Sequence, residues 1–188
     1  MAPKELALVS QVHGAAVHFL EEKNFPFLPS PGDGMITRSK KIAMGILTAD
    51  CLPVFFWDER KKAAGMAHAG WRGLRQGILL KMAQAFKAIG ARAGSLRIAF
   101  GPCIRPCCYE VGEEFRDYFP AFYHPASKKG RGSLDLSAVA RDQLQQEGVE
   151  TASIGDAGIC TSCSNDRFFS ARKEKTSERM LSLIQILS

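Results

Sequence analysis

Three side chains of the kind that bind metals or act as nucleophile and base stand beside turns in this chain: His13, Cys51 and His68. Cys51 lies in Thr48-Ala49-Asp50-Cys51-Leu52-Pro53-Val54, where an apolar run gives way to a turn pinned by Pro53. His68 opens His68-Ala69-Gly70-Trp71-Arg72-Gly73, where a small-residue run ends and Gly70 permits a tight turn. A helix amino terminus follows, and its free N–H groups attract anions. His13 precedes Gly14 after the stretch Leu6 to Val12. Ligand sites in open sheets collect at the carboxyl ends of strands, so three similar placements point to one site.

A His, Cys, His set fills three positions of a tetrahedral zinc and leaves the fourth open, the pattern of a catalytic centre. Zinc held this way brings the pKa of a bound water to about 7. The separations, 38 and then 17 residues, match no short metal motif. The same residues admit two other readings. Cys51 could be a nucleophile with His68 as its base, or Cys51 a buried thiol and His68 a core histidine with its bonds satisfied. Arg72 either reaches an anion over the helix start or is solvated, and Trp71 reads as core. Asp33, in Gly32-Asp33-Gly34, is a turn former that could also face a ligand. His18 and His124 read as surface residues. Cys103, Cys107, Cys108, Cys160 and Cys163 form either a second, structural zinc site or a set of free thiols. The three-residue gap between Cys103 and Cys107, stiffened by Pro106, weighs against zinc.

The elements that must position these groups follow from apolar patterning. Residues 42–48, 53–57 and 63–68 read as strands, the first two as hairpin-like neighbours. From Gly70 to Gly73 a helix opens, with Leu74, Ile78, Leu79, Met82, Phe86 and Ile89 at helical spacing until Gly90 ends it. Residues 96–100 form a further strand. Helices are expected around 112–119 and around 135–147, the second capped by Ser133 with Asp135 in its first turn. Strands at 151–155, 167–171 and 180–187 close the chain. Residues 24–34 are a Pro- and Gly-rich loop, and 125–134 a mobile surface loop. Alternating strands and helices with hairpin neighbours give an α/β (α+β) class with a mixed sheet.

With 188 residues the chain is expected to be a single domain, residues 1–188, large enough to bury a proper core. Its charge of +6 comes from scattered Lys and Arg with no basic stripe interleaved with aromatics, which argues against a nucleic-acid partner. An anionic small molecule, phosphate included, suits the same charge. No run reaches the roughly 18 apolar residues of a membrane helix, and Met1-Ala2-Pro3-Lys4-Glu5 lacks a signal peptide's apolar segment. A cytoplasmic location is therefore expected, where six cysteines stay thiols or metal ligands.

Several segments together resemble the YfiH-like, or laccase-domain (polyphenol oxidase-like), family, also described as purine nucleoside phosphorylases. They are Gln11-Val12-His13-Gly14, Gly32-Asp33-Gly34, the Thr48–Val54 and His68–Gly73 segments, Gly101-Pro102-Cys103-Ile104, Tyr109-Glu110-Val111-Gly112, Cys160-Thr161, and Phe168-Phe169-Ser170 leading to Arg172. The resemblance implies a mixed α/β sandwich related to a toxin deamidase domain, and a zinc site of His13, Cys51 and His68. It also implies phosphorolysis of adenosine, inosine and guanosine, deamination of adenosine and cleavage of methylthioadenosine. Arg72, Arg172 and Asp33 are then candidate contacts to phosphate or nucleoside. Two departures stand out. Family members carry some tens of residues before Gln-Val-His, including a pocket-lining Thr-Arg-x-Gly-Gly segment, whereas ten residues precede Gln11 here; lacking that segment, substrate binding is expected to be incomplete. The family's Thr-Gly-Arg is Thr176-Ser177-Glu178-Arg179 here, which leaves Arg179 a less firmly placed anion ligand.

Four activities compete. The first is a zinc-dependent purine nucleoside enzyme using phosphate as co-substrate. The second is a cysteine hydrolase or deamidase, which gives His13 no task. The third is a polyphenol oxidase. Four histidines cannot furnish a multicopper cluster, so phenol oxidation would reflect adventitious copper in the one site, since copper(II) outcompetes zinc there. The fourth is a binding module without turnover. The residues do not fix the oligomeric state.

Overall fold

The structure, a computed structural model, describes residues 5–24, 26, 29–126 and 130–187. Twelve strands are seen there: β1 (Glu5–Leu8), β2 (Val17–Leu20), β3 (Gly34–Thr37), β4 (Ile42–Thr48), β5 (Leu52–Asp58), β6 (Ala63–Ala69), β7 (Arg97–Phe100), β8 (Glu110–Gly112), β9 (Tyr123–Pro125), β10 (Arg131–Leu134), β11 (Ile154–Asp156) and β12 (Met180–Gln185). Five helices accompany them: α1 (Trp71–Arg75), α2 (Ile78–Ala88), α3 (Phe115–Tyr118), α4 (Leu136–Gln146) and α5 (Ala171–Glu174). The strands build a six-stranded mixed sheet ordered β11-β7-β5-β6-β3-β2 and two three-stranded sheets, β1-β4-β12 and β8-β10-β9. The class is mixed α+β, as the alternation of patterns predicts.

The six-stranded sheet is covered on both faces. One face meets the β1-β4-β12 sheet across a layer of Ala7, Met35, Ile42, Met44, Ile46 and Met66, all buried. The other meets α1, α2 and α4 across Val54, Phe56, Leu74, Ile78, Met82, Phe86 and Leu144. Central strand β6 is buried along its whole length. That burial on both faces explains why it is written in small residues, Ala63-Ala64-Gly65-Met66-Ala67-His68-Ala69, rather than as an alternating strand.

Several expectations need correction. Strands β4 and β5 are not hairpin partners: β4 pairs with β1 and β12, while β5 pairs with β6 and β7. Asp50 stands at φ +89° in the turn between them and tips the chain from one sheet into the other. The helix expected from Gly70 to Ile89 is two helices. Gly77, at φ +76°, interrupts it in the left-handed region that glycine adopts without a Cβ clash. The apolar spacing runs on across the break because both helices lay the same face on the sheet. Asp135, not Ser133, caps α4, its carboxylate accepting from the backbone N–H groups of Ser137 and Ala138 at 2.9 and 3.0 Å. Residues 110–112 are strand β8, so the helix expected at 112–119 shrinks to α3. Strand β11 begins only at Ile154, after a 3-10 turn over Thr151–Ser153.

No strand forms at 167–171. Ser170 instead caps α5, its hydroxyl accepting from the Lys173 N–H. The loop expected at 125–134 is largely a β9–β10 hairpin with Leu134 fully buried, and its residues 127–129 lie outside the described residues. Residues 25, 27 and 28 of the Pro- and Gly-rich loop also lie outside them. Strands β2 and β3 are not among those expected from the apolar patterning. Among the described residues no helix is long and apolar enough to cross a membrane.

Candidate metal centre and cleft

Three separate devices deliver the three candidate ligands. Antiparallel pairing of β3 with β6 sets Asp33 beside His68, whose backbone N–H donates to the Asp33 carbonyl at 2.7 Å. The His68 Nδ1 meets the Asp33 carboxylate at 2.7 Å, with both side chains almost wholly buried. The same carboxylate accepts from the backbone N–H groups of Val12, His13 and Gly14 at 3.2, 3.1 and 2.7 Å. One buried anion thus fixes both the histidine ring and the loop that carries His13. That loop is also pinned from its other side. The Gln11 side-chain amide accepts from the Leu47 N–H and donates to the Leu47 carbonyl, each at 2.8 Å, bracketing β4. His13 itself sits at φ +56°, a conformation rare for a residue with a Cβ.

Cys51 follows Asp50 in the turn between sheets. The Asp50 carboxylate accepts from the Thr161 hydroxyl and the Arg172 N–H, both at 2.7 Å, and its carbonyl accepts from the Ile104 N–H at 2.8 Å. Gly70 closes the floor. A Cβ there would stand 2.9 Å from the Cys51 Sγ and 3.2 Å from the His13 Nδ1, so only glycine leaves the three groups room to converge.

The outcome is a compact set. The ligand atoms of His13, Cys51 and His68 all lie within 4.8 Å of one another, and the two imidazole centroids are 4.8 Å apart. Two nitrogens and one sulfur at this separation suit zinc, whose Zn–N and Zn–S bonds run about 2.0–2.1 and 2.3 Å. The carboxylate behind His68 supplies the outer-shell contact that metal-bound histidines usually have. Burial would pull His68 down, but the hydrogen bond to Asp33 and the proximity of Cys51 raise it to about 9. Burial would raise Cys51, but hydrogen bonds and charge from His13 and His68 bring it to about 7.

These groups stand on the wall of a cleft of about 690 Å³, within the range of small-molecule sites. Val9, Leu47, Trp71 and Ile104 give it apolar surface, and Arg72, Arg172 and Arg179 bring three guanidinium groups to it. Arg72 lies over the Trp71 ring at 4.5 Å and Arg172 over the Tyr109 ring at 5.2 Å. The Tyr109 phenol is pushed well up by burial and by the nearby Cys51, so it stays neutral. Trp71, expected in the core, is half-buried and faces this cleft. Asp33 does not line it. That residue is fully buried behind His68, its carboxylate spent on four donors, and this corrects the expectation that it faces a ligand. His18 bonds the Pro31 carbonyl, and His124 is exposed in β9; neither lines the cleft. Asp50, Gln11 and Tyr109 were not singled out as site residues from the sequence. Their one signal was membership of the segments that carry the family resemblance.

Comparison with known proteins shows the family to which the chain belongs. A family model described as "Multi-copper polyphenol oxidoreductase laccase" matches residues 1–187. The chain is 35% identical over 184 residues to a purine nucleoside phosphorylase of Aquifex aeolicus, covering 98% of this chain and 84% of that one. It is 34% identical to the purine nucleoside phosphorylase YfiH of Escherichia coli, over 98% of this chain and 75% of that one. A protein named adenosine deaminase RL5, from an unknown prokaryotic organism, is 33% identical over 150 residues, 75% of this chain and 56% of that one. The crystal structure of YlmD from Geobacillus stearothermophilus superposes with a TM-score of 0.92 at 30% identity, covering 98% of this chain and 74% of that one. By sequence and by fold, this chain belongs to the laccase-like YfiH family.

Proposed function

We propose that this chain is a zinc-dependent purine nucleoside enzyme, cleaving adenosine, inosine, guanosine and methylthioadenosine with phosphate and deaminating adenosine in the same cleft. The observation that carries the reading is the convergence of His13, Cys51 and His68 within 4.8 Å on a cleft reached by three arginines. The names of the Aquifex, Escherichia and RL5 relatives support the substrate class. His13, Cys51 and His68 would hold the zinc, which when bound supplies Lewis acidity and an acidified water.

The remaining work falls to the protein. Arg72 and Arg172 bind phosphate or ribose through charge-assisted hydrogen bonds, and Arg179 adds positive charge near them. Both lead guanidiniums are stacked on aromatic rings, which restricts their motion before the anion arrives. Trp71 and Ile104 offer the purine an apolar face. Asp33 acts through His68, holding the proton on Nδ1 so that Nε2 is left for the ligand position. The location proposed is the cytoplasm.

The test is turnover with metal analysis. Inosine should release its base only when phosphate is present, and Cys51→Ala should lose both metal and turnover. Full activity in metal-free protein, or in Cys51→Ala, refutes the reading.

A second reading has its own observation. Asp33, His68 and Cys51 form a carboxylate–imidazole–thiol series like that of a cysteine hydrolase. Iodoacetamide separates the two: a zinc-bound Cys51 is labelled only after chelation, a free nucleophile at once.

A further inference from the structure

A second cluster lies outside the cleft. The sulfurs of Cys107, Cys108, Cys160 and Cys163 all stand within 4.8 Å of one another. Cys163 Sγ is 3.7 Å from Cys107 Sγ and 3.4 Å from Cys108 Sγ. Two sulfurs joined in a disulfide would be about 2.05 Å apart, and all six cysteines are free. Four thiolates around one zinc at 2.3 Å would form a tetrahedron with edges of about 3.8 Å, which these separations approach. Iron–sulfur clusters interpose several metal and sulfide atoms between their cysteines, and a group this tight leaves space for one ion.

Cys103, the fifth thiol of this half of the chain, is not part of the group. It is fully buried and faces the Ser137 hydroxyl at 3.7 Å. The gap between Cys103 and Cys107 that argued against zinc in the sequence is therefore irrelevant. The ligand pattern is an adjacent pair, Cys107-Cys108, and a Cys-x-x-Cys pair, Cys160 and Cys163.

A basic side chain is held against the loop of Cys160 and Cys163. Lys173 places its ammonium on the same loop, bonded to the Ser162 carbonyl at 3.3 Å and the Asn165 side chain at 2.6 Å. The two loops are also stitched together by backbone, Cys103 N–H to the Ile159 carbonyl and Thr161 N–H to the Cys103 carbonyl.

We infer that Cys107, Cys108, Cys160 and Cys163 bind a single zinc-class divalent cation as a structural four-thiolate site, separate from His13, Cys51 and His68. Each thiol releases its proton to solvent as it ligates, and no redox change is involved. The ion clamps the loop carrying Ile104 and Tyr109 to the loop carrying Thr161, both of which contact Asp50 or line the cleft. The site holds the wall of the cleft and takes no part in bond chemistry.

Metal analysis of the zinc-replete protein tests this, independently of whether the cleft turns over nucleosides. Two equivalents per chain are expected, with one retained by Cys51→Ala, one by Cys163→Ser and none by the double variant. Cobalt(II) loaded into Cys51→Ala should give the intense absorption of a four-thiolate tetrahedral ion. That spectrum decides the matter alone if Cys163→Ser fails to fold. A single equivalent that vanishes in Cys51→Ala would overturn the inference. So would a cobalt spectrum without thiolate character, or an intact mass two hydrogens low from a disulfide within the group.

Discussion

At residue scale, the Asp33 carboxylate carries more of the site than its place in a Gly-Asp-Gly turn suggests. It accepts from three backbone N–H groups and from His68, so a neutral amide cannot replace it without turning an NH2 toward another donor. Asp33→Asn is expected to cost about 1–3 kcal/mol of stability and about 10–100-fold in metal affinity. The same substitution has a pH signature in metal-free protein. Burial opposes the charged forms of both partners, yet Cys51 lies at about 7 and His68 at about 9. Thiolate therefore predominates above pH 7, where an ordinary thiol, at 9.0, is still protonated. Iodoacetamide labelling of Cys51 should rise with a midpoint near pH 7. In Asp33→Asn the imidazolium of His68 loses its anchor, and the midpoint should move upward; an unmoved midpoint would show that Asp33 does not act through His68.

At the scale of elements, Gly77 makes the same kind of argument for backbone. Its left-handed conformation separates α1 from α2, and a Cβ would meet Leu80 Cδ1 at 3.2 Å. Gly77→Ala should cost about 1 kcal/mol, read from denaturant unfolding; no change would mean the two helices can merge. The break also shows what sequence patterning could and could not reveal. Strands β4, β5 and β6 were legible because long apolar or small-residue runs end at clear turns. Sheet membership was not, because whether Asp50 turns a chain back on itself or across to another sheet depends on Thr161 and Arg172, more than a hundred residues away. Cys51 and His68 stood out as chemistry-bearing types at element ends. His13 was harder, since it lies five residues beyond β1 and is placed by side chains, Gln11 and Asp33, rather than by a strand. Which four thiols meet was not legible from spacing, because Cys103 belongs to the core and only a fold brings Cys107 and Cys108 to Cys160 and Cys163.

At the scale of the whole molecule, the candidate metal centre straddles two sheets. His68 belongs to β6 of the six-stranded sheet, while His13 is tied through Gln11 to β4 of the β1-β4-β12 sheet. Cys51 stands at the crossing between them. The layer joining those sheets includes Met44 and Met66, both fully buried. Met44→Ala should cost about 2–5 kcal/mol. It should also weaken metal binding, although the cleft does not include Met44 among its lining residues; a stability loss with unaltered affinity would show that the sheets hold register without it. A metal ion held by His13, Cys51 and His68 would thus act as a gauge of how two slabs of the protein are aligned. A slip of an ångström between them, too small to unfold anything, would carry the Cys51 turn away from the two imidazoles that Asp33 holds together and leave the three groups too far apart for one ion.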